Sequence, residues 1–383
     1  MTSLSLPPLS LYIHIPWCVQ KCPYCDFNSH SVKHDIPEAA YLARLLDDLR
    51  ADLDWVQGRV LQSIFIGGGT PSLISAAGIK YLLDTVRTLV PLAADCEITL
   101  EANPGTFETE RFAGYVEAGV TRLSIGVQSL NHKQLQILGR IHDPQQAVAA
   151  AKPARQLPLT SFNLDLMHGL PSQTLTEGLA DLTAVIALQP PHISWYQLTI
   201  EPNTAFASRP PQLPAEEALW NIQEQGHELL LAAGYEHYEI SAYAKPGHRS
   251  RHNMNYWRFG DYLGIGCGAH SKITIPAQNK IIRCEKIKHP QGYLDLTRSL
   301  IYRQWSVTPD ERPFEFFMNY FRLMEPVPKV EFEAHTGLSS AIADRLLQPA
   351  QQQGLVEIDA QRWQTTELGR RYLNSLLDTL LDG

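Results

Sequence analysis

Apolar, strand-like runs alternate with amphipathic stretches through the first two thirds of the chain. Residues 11–15, 63–67, 97–103, 122–127, 162–167 and 193–200 read as six strands. Between and after them, the spacing of apolar positions predicts helices over about 37–56, 76–90, 109–118, 132–138, 144–155, 175–188 and 215–233. Such βα alternation argues for a parallel sheet. Six units with no dinucleotide fingerprint after the first strand favour an α/β fold of the partial (β/α)6 TIM-barrel type over a Rossmann fold.

The pattern then changes. Residues 234–300 mix short strands, glycine turns and aromatic residues. Beyond residue 308 come helical stretches at 311–325 and 339–353, a short hairpin over 354–359 and 362–367, and a last helix over 367–383. Helices followed by a hairpin suggest a small α+β, winged-helix-like domain. The expected division is a barrel over 1–235, a connecting α+β segment over 236–307 and the small domain over 308–383. That small domain carries no dense basic face, so packing or partner contact fits it better than DNA.

Composition narrows the class. The chain has 383 residues, is 44% hydrophobic and 19% charged, and carries a net charge of −8. No clustered basic face points to nucleic acid. No apolar run has the length of a membrane span, so peripheral contact is the most a membrane could have. The first ten residues, MTSLSLPPLS, lack a basic stretch followed by an apolar core, which argues against a secretory signal. Six cysteines, three of them clustered, suit a reducing cytoplasm. Cys96, Cys267 and Cys284 read as free thiols.

The chemistry begins with Cys18, Cys22 and Cys25, in YIHIPWCVQKCPYCDFNSH. Three thiolates can hold three irons of a [4Fe–4S] cube and leave the fourth iron open. Zinc prefers four ligands, usually with cysteines in close couples, and a disulfide would strand one thiol. The Cys-x3-Cys-x2-Cys spacing and Tyr24 between the last two cysteines resemble the signature of radical S-adenosylmethionine (SAM) proteins. Along nearly its whole length the chain resembles the branch that contains oxygen-independent coproporphyrinogen III oxidase and a family of haem chaperones.

That resemblance assigns further residues, each with an ordinary alternative. Gly68, Gly69 and Thr70, in GGGTP, could form a mere turn, or let backbone amides approach SAM closely. Glu101 could cap or pair, or accept hydrogen bonds from a ribose diol. Gln128 could satisfy a strand end, or both donate to and accept from a nucleoside. Arg140 has a planar fork suited to the SAM carboxylate. Asp165 lies between apolar neighbours and should be buried and paired. Tyr12 could be a core aromatic, and the family places it against SAM. The glycine run follows the second strand, Glu101 ends the third, Gln128 ends the fourth and Asp165 lies in the fifth, and parallel barrels gather their active groups at strand C-termini.

Two departures separate the chain from the oxidase. Phe27 stands where the oxidase carries a fourth cysteine, and only 17 residues precede Cys18. Both point to the chaperone family. That family associates an HNxxYW motif with haem, matched here by His252, Asn253, Tyr256 and Trp257. By its chemistry alone, His252 reads better as a satisfied loop histidine. Cys267 and His270, in GIGCGAH, are lesser ligand candidates. The expectation is a haem chaperone carrying a [4Fe–4S] cluster and SAM, with haem as cargo and haem-accepting apoproteins as partners. A flavodoxin-like electron donor is a further expected partner, and radical decarboxylation of coproporphyrinogen III is the alternative activity.

Overall fold

The computed structural model describes residues 3–32 and 35–381. Strand β1 (Leu9–Ile15) leads into a loop closed by two short parallel strands, β2 (Trp17–Cys18) and β3 (His30–Ser31). Helix α1 (Glu38–Ala51) follows, then β4 (Leu61–Gly68), α2 (Ala76–Leu89), β5 (Leu92–Ala102), α3 (Thr106–Glu117) and β6 (Arg122–Gln128). Next come α4 (His132–Ile137), α5 (Pro144–Gln156), β7 (Ser161–His168), α6 (Leu175–Ala187), β8 (His192–Gln197), α7 (Ala205–Ser208) and α8 (Glu216–Ala232). The six expected strands are parallel neighbours in chain order, β1-β4-β5-β6-β7-β8.

Local chemistry starts the helices. Asp143 with Gln146, and Thr174 with Glu177, form reciprocal capping boxes at α5 and α6. The Ser75 hydroxyl accepts from Gly78 N–H at the start of α2. Each such cap contributes about 1 kcal/mol. Some boundaries differ from the sequence expectation. The first helix stops at Ala51 and continues as a 3-10 turn over Leu53–Val56. The sixth strand stops at Gln197.

The connecting segment joins the same sheet. Strands β9 (Glu236–Glu239) and β10 (Ala242–Ala244) extend one edge, β10 pairing antiparallel with β8 and β9 antiparallel with β10. After α9 (Arg251–Trp257), β11 (Asp261–Ile265) pairs parallel with β1 at the other edge. Beyond it lie β12 (His270–Ile275), β13 (Lys280–Lys286), the short α10 (Pro290–Leu294) and β14 (Ile301–Ser306). The sheet therefore has twelve strands, ordered β14-β13-β12-β11-β1-β4-β5-β6-β7-β8-β10-β9. Buried ion pairs fix this added edge: Lys272 with Asp261 at 3.0 Å, and Lys286 with Asp48 of α1 at 2.6 Å and with Asp52 at 2.8 Å.

A second apolar core lies in the C-terminal region, around Phe316, Phe317, Phe332 and Trp363. It is built from α11 (Arg312–Tyr320), β15 (Val327–Pro328), α12 (Lys329–Thr336), α13 (Ser340–Gln352), β16 (Val356–Ile358) and β17 (Arg362–Thr365). The expected final helix is two pieces, α14 (Glu367–Arg371) and α15 (Leu373–Asp378), broken at Tyr372 with φ −113°. Residues 382–383 of that expected helix lie outside the described residues.

Candidate functional site

The C-terminal ends of the parallel strands surround a cavity of about 450 Å³. Cys18 lines it from the end of β2, and Cys22, Tyr24, Cys25 and Phe27 from the loop between β2 and β3. Gly68, Gly69, Thr70, Glu101, Gln128, Arg140 and Asp165 line it from the strand ends and the loops beyond them. The strand order explains the convergence, because the glycine run ends β4, Glu101 lies at the end of β5, Gln128 ends β6 with Arg140 beyond α4, and Asp165 lies in β7, all neighbours in one sheet.

The cysteine loop is held on all sides. Its ends pair as β2 and β3, and Val32 N–H donates to Cys18 O at 2.9 Å. The Lys21 ammonium donates to the carbonyls of Phe27 and Ser29 at 3.2 and 3.3 Å. The Asn28 amide reaches across to Cys267 O, at 2.9 Å. Arg140 donates to Cys22 Sγ at 3.6 Å. Burial pushes the Cys18 and Cys25 thiols up, so negative charge there needs a cation or metal to compensate it. Among the described residues no group of three or more His, Cys, Asp and Glu side chains is drawn tightly around one point. The three thiols line one cavity, and three thiolates are the donor set for three irons of a [4Fe–4S] cube.

The amides of Gly68, Gly69 and Thr70 are all hydrogen-bonded within the protein. Gly68 N–H donates to the Glu101 carboxylate at 3.1 Å, Gly69 N–H to Ile15 O at 2.7 Å and Thr70 N–H to Trp17 O at 2.7 Å. They tie the end of β4 to β5, to the end of β1 and to β2 at the base of the cysteine loop. A side chain at Gly69 would lie 2.5 Å from Trp17 O, so glycine is required for that backbone approach.

The remaining polar groups are each oriented by a neighbour. Burial, with Asp165 nearby, raises the Glu101 carboxyl to about 8. The Tyr196 hydroxyl donates to Gln128 Oε1 at 2.7 Å, which leaves the amide nitrogen of Gln128 facing the cavity. Gln128 has φ +66°, a left-handed turn at the end of β6. Arg140 is fixed by Asn103 Oδ1 at 2.6 Å and Gly126 O at 3.0 Å. A side chain at Gly126 would lie 2.8 Å from the Gln128 amide and 3.3 Å from the Arg140 fork. Asp165 accepts from Ser124 at 3.1 Å and Asn163 at 2.8 Å, while burial pushes its carboxyl up. Asn103, Ser124 and Tyr196 were not singled out from the sequence. Asn103 had a signal, two residues beyond Glu101 in LEANPG.

Tyr12 lies outside this cavity. It lines a second, larger one of about 890 Å³ that shares Asp26, Phe27, Ser29, Gly68, Glu101 and Glu201 with the first. Its hydroxyl meets His14 Nδ1 at 2.9 Å. Phe27 is 58% exposed and stands between the two spaces.

The HNxxYW residues do not converge. His252 is only 3% exposed, at the opposite, N-terminal end of the barrel strands. Its Nδ1 meets Ser63 Oγ at 2.9 Å, which meets Ser10 Oγ at 2.8 Å, and its ring lies 5.0 Å from both Phe65 and Tyr256. Burial, with Arg122 beside it, lowers its pKa to about 3. One turn later Tyr256 reaches the second cavity. Trp257 turns the other way, under the Arg322 guanidinium and against the C-terminal core. Asn253 donates its backbone N–H to the Ser250 cap at 3.3 Å.

Comparison with known proteins places this architecture. Residues 12–182 match the model of the radical SAM superfamily, and residues 307–372 match that of the HemN C-terminal domain. The chain superposes on the coproporphyrinogen III oxidase HemN of Escherichia coli, a radical SAM enzyme, with a TM-score of 0.83. That match covers 98% of this chain and 90% of the other at 24% identity, a likeness of fold. The class is therefore a radical SAM protein of the HemN type. The chain is 58% identical over 378 residues to the heme chaperone HemW of E. coli K12, covering 99% of each protein. It is 59% identical to HemW of Haemophilus influenzae, covering 98% of each. The chain belongs to the HemW family.

Proposed function

We propose that this chain is a haem chaperone that binds haem and passes it to haem-accepting apoproteins, among them those of respiration. Membership of the HemW family carries the cargo. The observation that carries the cofactor side is the convergence of three thiols, Glu101, Gln128, Arg140 and Asp165 on one rim cavity.

In this reading Cys18, Cys22 and Cys25 hold a [4Fe–4S] cluster. When bound, such a cluster supplies an open coordination position for SAM and a one-electron reductant. The chain's own residues do the positioning. Glu101 accepts the ribose hydroxyls, Gln128 offers its free amide to the nucleoside, and Arg140 pairs with the SAM carboxylate. Tyr24, Phe27, Gly68, Gly69 and Thr70 shape the walls, and Asp165 holds Ser124 and Asn163 in place beneath. A flavodoxin-like protein would supply the electron. Among the described residues no helix is long and apolar enough to cross a membrane. In this reading the work is done in the cytoplasm, where clustered thiols stay reduced, with membrane contact only at the surface.

The test is transfer. Anaerobically reconstituted protein is loaded with haem, repurified and mixed with the apo form of a b-type cytochrome. The expected result is loss of the chaperone's Soret band with growth of the cytochrome's. Haem that stays on the chaperone, or leaves no faster than free haem exchanges, contradicts the proposal.

A further inference from the structure

The second cavity is the larger space and lies between the cysteine loop and strands β11 and β12. Its inner wall is aromatic: Tyr12, Tyr256 and Tyr262, with the last two rings 4.2 Å apart. Flat aromatic surfaces of this kind suit a macrocycle. Lys288 stands exposed at its mouth, suited to a propionate, with Glu285 3.6 Å away and the acids Asp26 and Glu201 on other sides.

Three histidines line this space, and their nitrogens are not equally free. His14 uses both: Nδ1 meets Tyr12 and Nε2 meets Asn28 O at 2.8 Å. His30 spends Nε2 on Asn28 Oδ1 at 3.3 Å and Lys288 O at 3.2 Å. His270 is exposed, and its ring has no hydrogen-bond partner among the described residues. Cys267 is buried, with its thiol donating to Lys288 O at 2.9 Å, so it is not free to ligate. His252 touches neither cavity.

His270 also sits on a rigid support. The preceding turn is pinned by Gly266 N–H to Asp48 at 3.0 Å, Cys267 N–H to Tyr41 at 3.0 Å and Gly268 N–H to Ile287 O at 2.8 Å. Ligands held by such a frame lose little freedom on binding.

We propose that haem is held in this second cavity with the imidazole of His270 as axial ligand, Tyr256 and Tyr262 as its aromatic wall and Lys288 facing a propionate. This assignment rests on the reading of the chain as a haem carrier. Within the HNxxYW motif it gives Tyr256 the contact with cargo and leaves His252 a structural part of the barrel floor.

The experiment is a haemin titration of the full chain, purified anaerobically, read at the Soret band. Wild type, His270→Ala, His252→Gln and Lys288→Glu are compared. His270→Ala is expected to weaken binding at least tenfold and shift the band, and added imidazole to restore the wild-type position. Lys288→Glu is expected to weaken binding several-fold with the band unmoved, and His252→Gln to leave the band unmoved. A His270→Ala protein that titrates like wild type overturns the assignment while leaving the carrier reading intact. Loss of the band in His252→Gln alone also overturns it. A wild type that binds no haem overturns both.

Discussion

The rim cavity and helix α9 were each marked by a short motif, and the two motifs behave in opposite ways. On the rim, residues from far apart in the chain, from Cys18 to Asp165, come to face one space. In α9, residues adjacent in the chain part into three surroundings: His252 in the barrel floor, Tyr256 in the second cavity, Trp257 against the C-terminal core. A strand end in a parallel barrel has one place to point. A helix has a full circumference, so one short motif can serve several neighbours at once.

The largest effect that could break this contrast is at the cysteines. Cys22→Ala is expected to lower bound iron from about four per chain to near zero, measured with sulfide after anaerobic reconstitution. Retention of a full complement would mean that the rim thiols do not hold the cluster.

Glu101 gives the next largest effect. Its folded pKa of about 8 lies above the roughly 4.3 of an unfolded glutamate. Between those values the folded chain binds a proton that the unfolded chain does not, so stability falls as pH rises through this window and levels off above it. Glu101→Gln has no such proton to lose. Without SAM, its stability relative to wild type is expected to grow by about 2–4 kcal/mol from pH 5 to pH 9 in denaturant titrations. Parallel curves for the two proteins would show that Glu101 is solvated as an ordinary carboxylate.

His252 sharpens the other side. His252→Ala removes a buried ring between Phe65 and Tyr256 and leaves the Ser63 hydroxyl with Ser10 as its one partner of the two. The expected cost is about 2–3 kcal/mol of folding stability. Ser63→Ala, which deletes only the hydroxyl between Ser10 and His252, is expected to cost about 1 kcal/mol. Urea unfolding measures both. A fully stable His252→Ala would contradict a structural role for that ring.

The same contrast sets what could be read before the structure. The six parallel strands followed from alternation, whereas the rim residues came from the resemblance to radical SAM proteins; of these, Glu101 and Gln128 lie at strand ends, as the strand-end rule has them. What the glycines do was not legible: whether an amide meets a ligand or another strand depends on how closely β4 approaches Trp17. The pairing of β11 with β1 was also hidden, because it joins residues about 250 positions apart without a helical crossover pattern. Asn103, Ser124 and Tyr196 are ordinary polar residues whose role is to orient others, and periodicity carries no trace of that.

The measurement that bears most directly on the account is electron paramagnetic resonance of the dithionite-reduced, reconstituted protein, with and without saturating SAM. A cluster held at three irons should give one spin-half signal per chain whose g values move when SAM occupies the fourth. Iron-free protein, or a signal that SAM leaves unchanged, would contradict it.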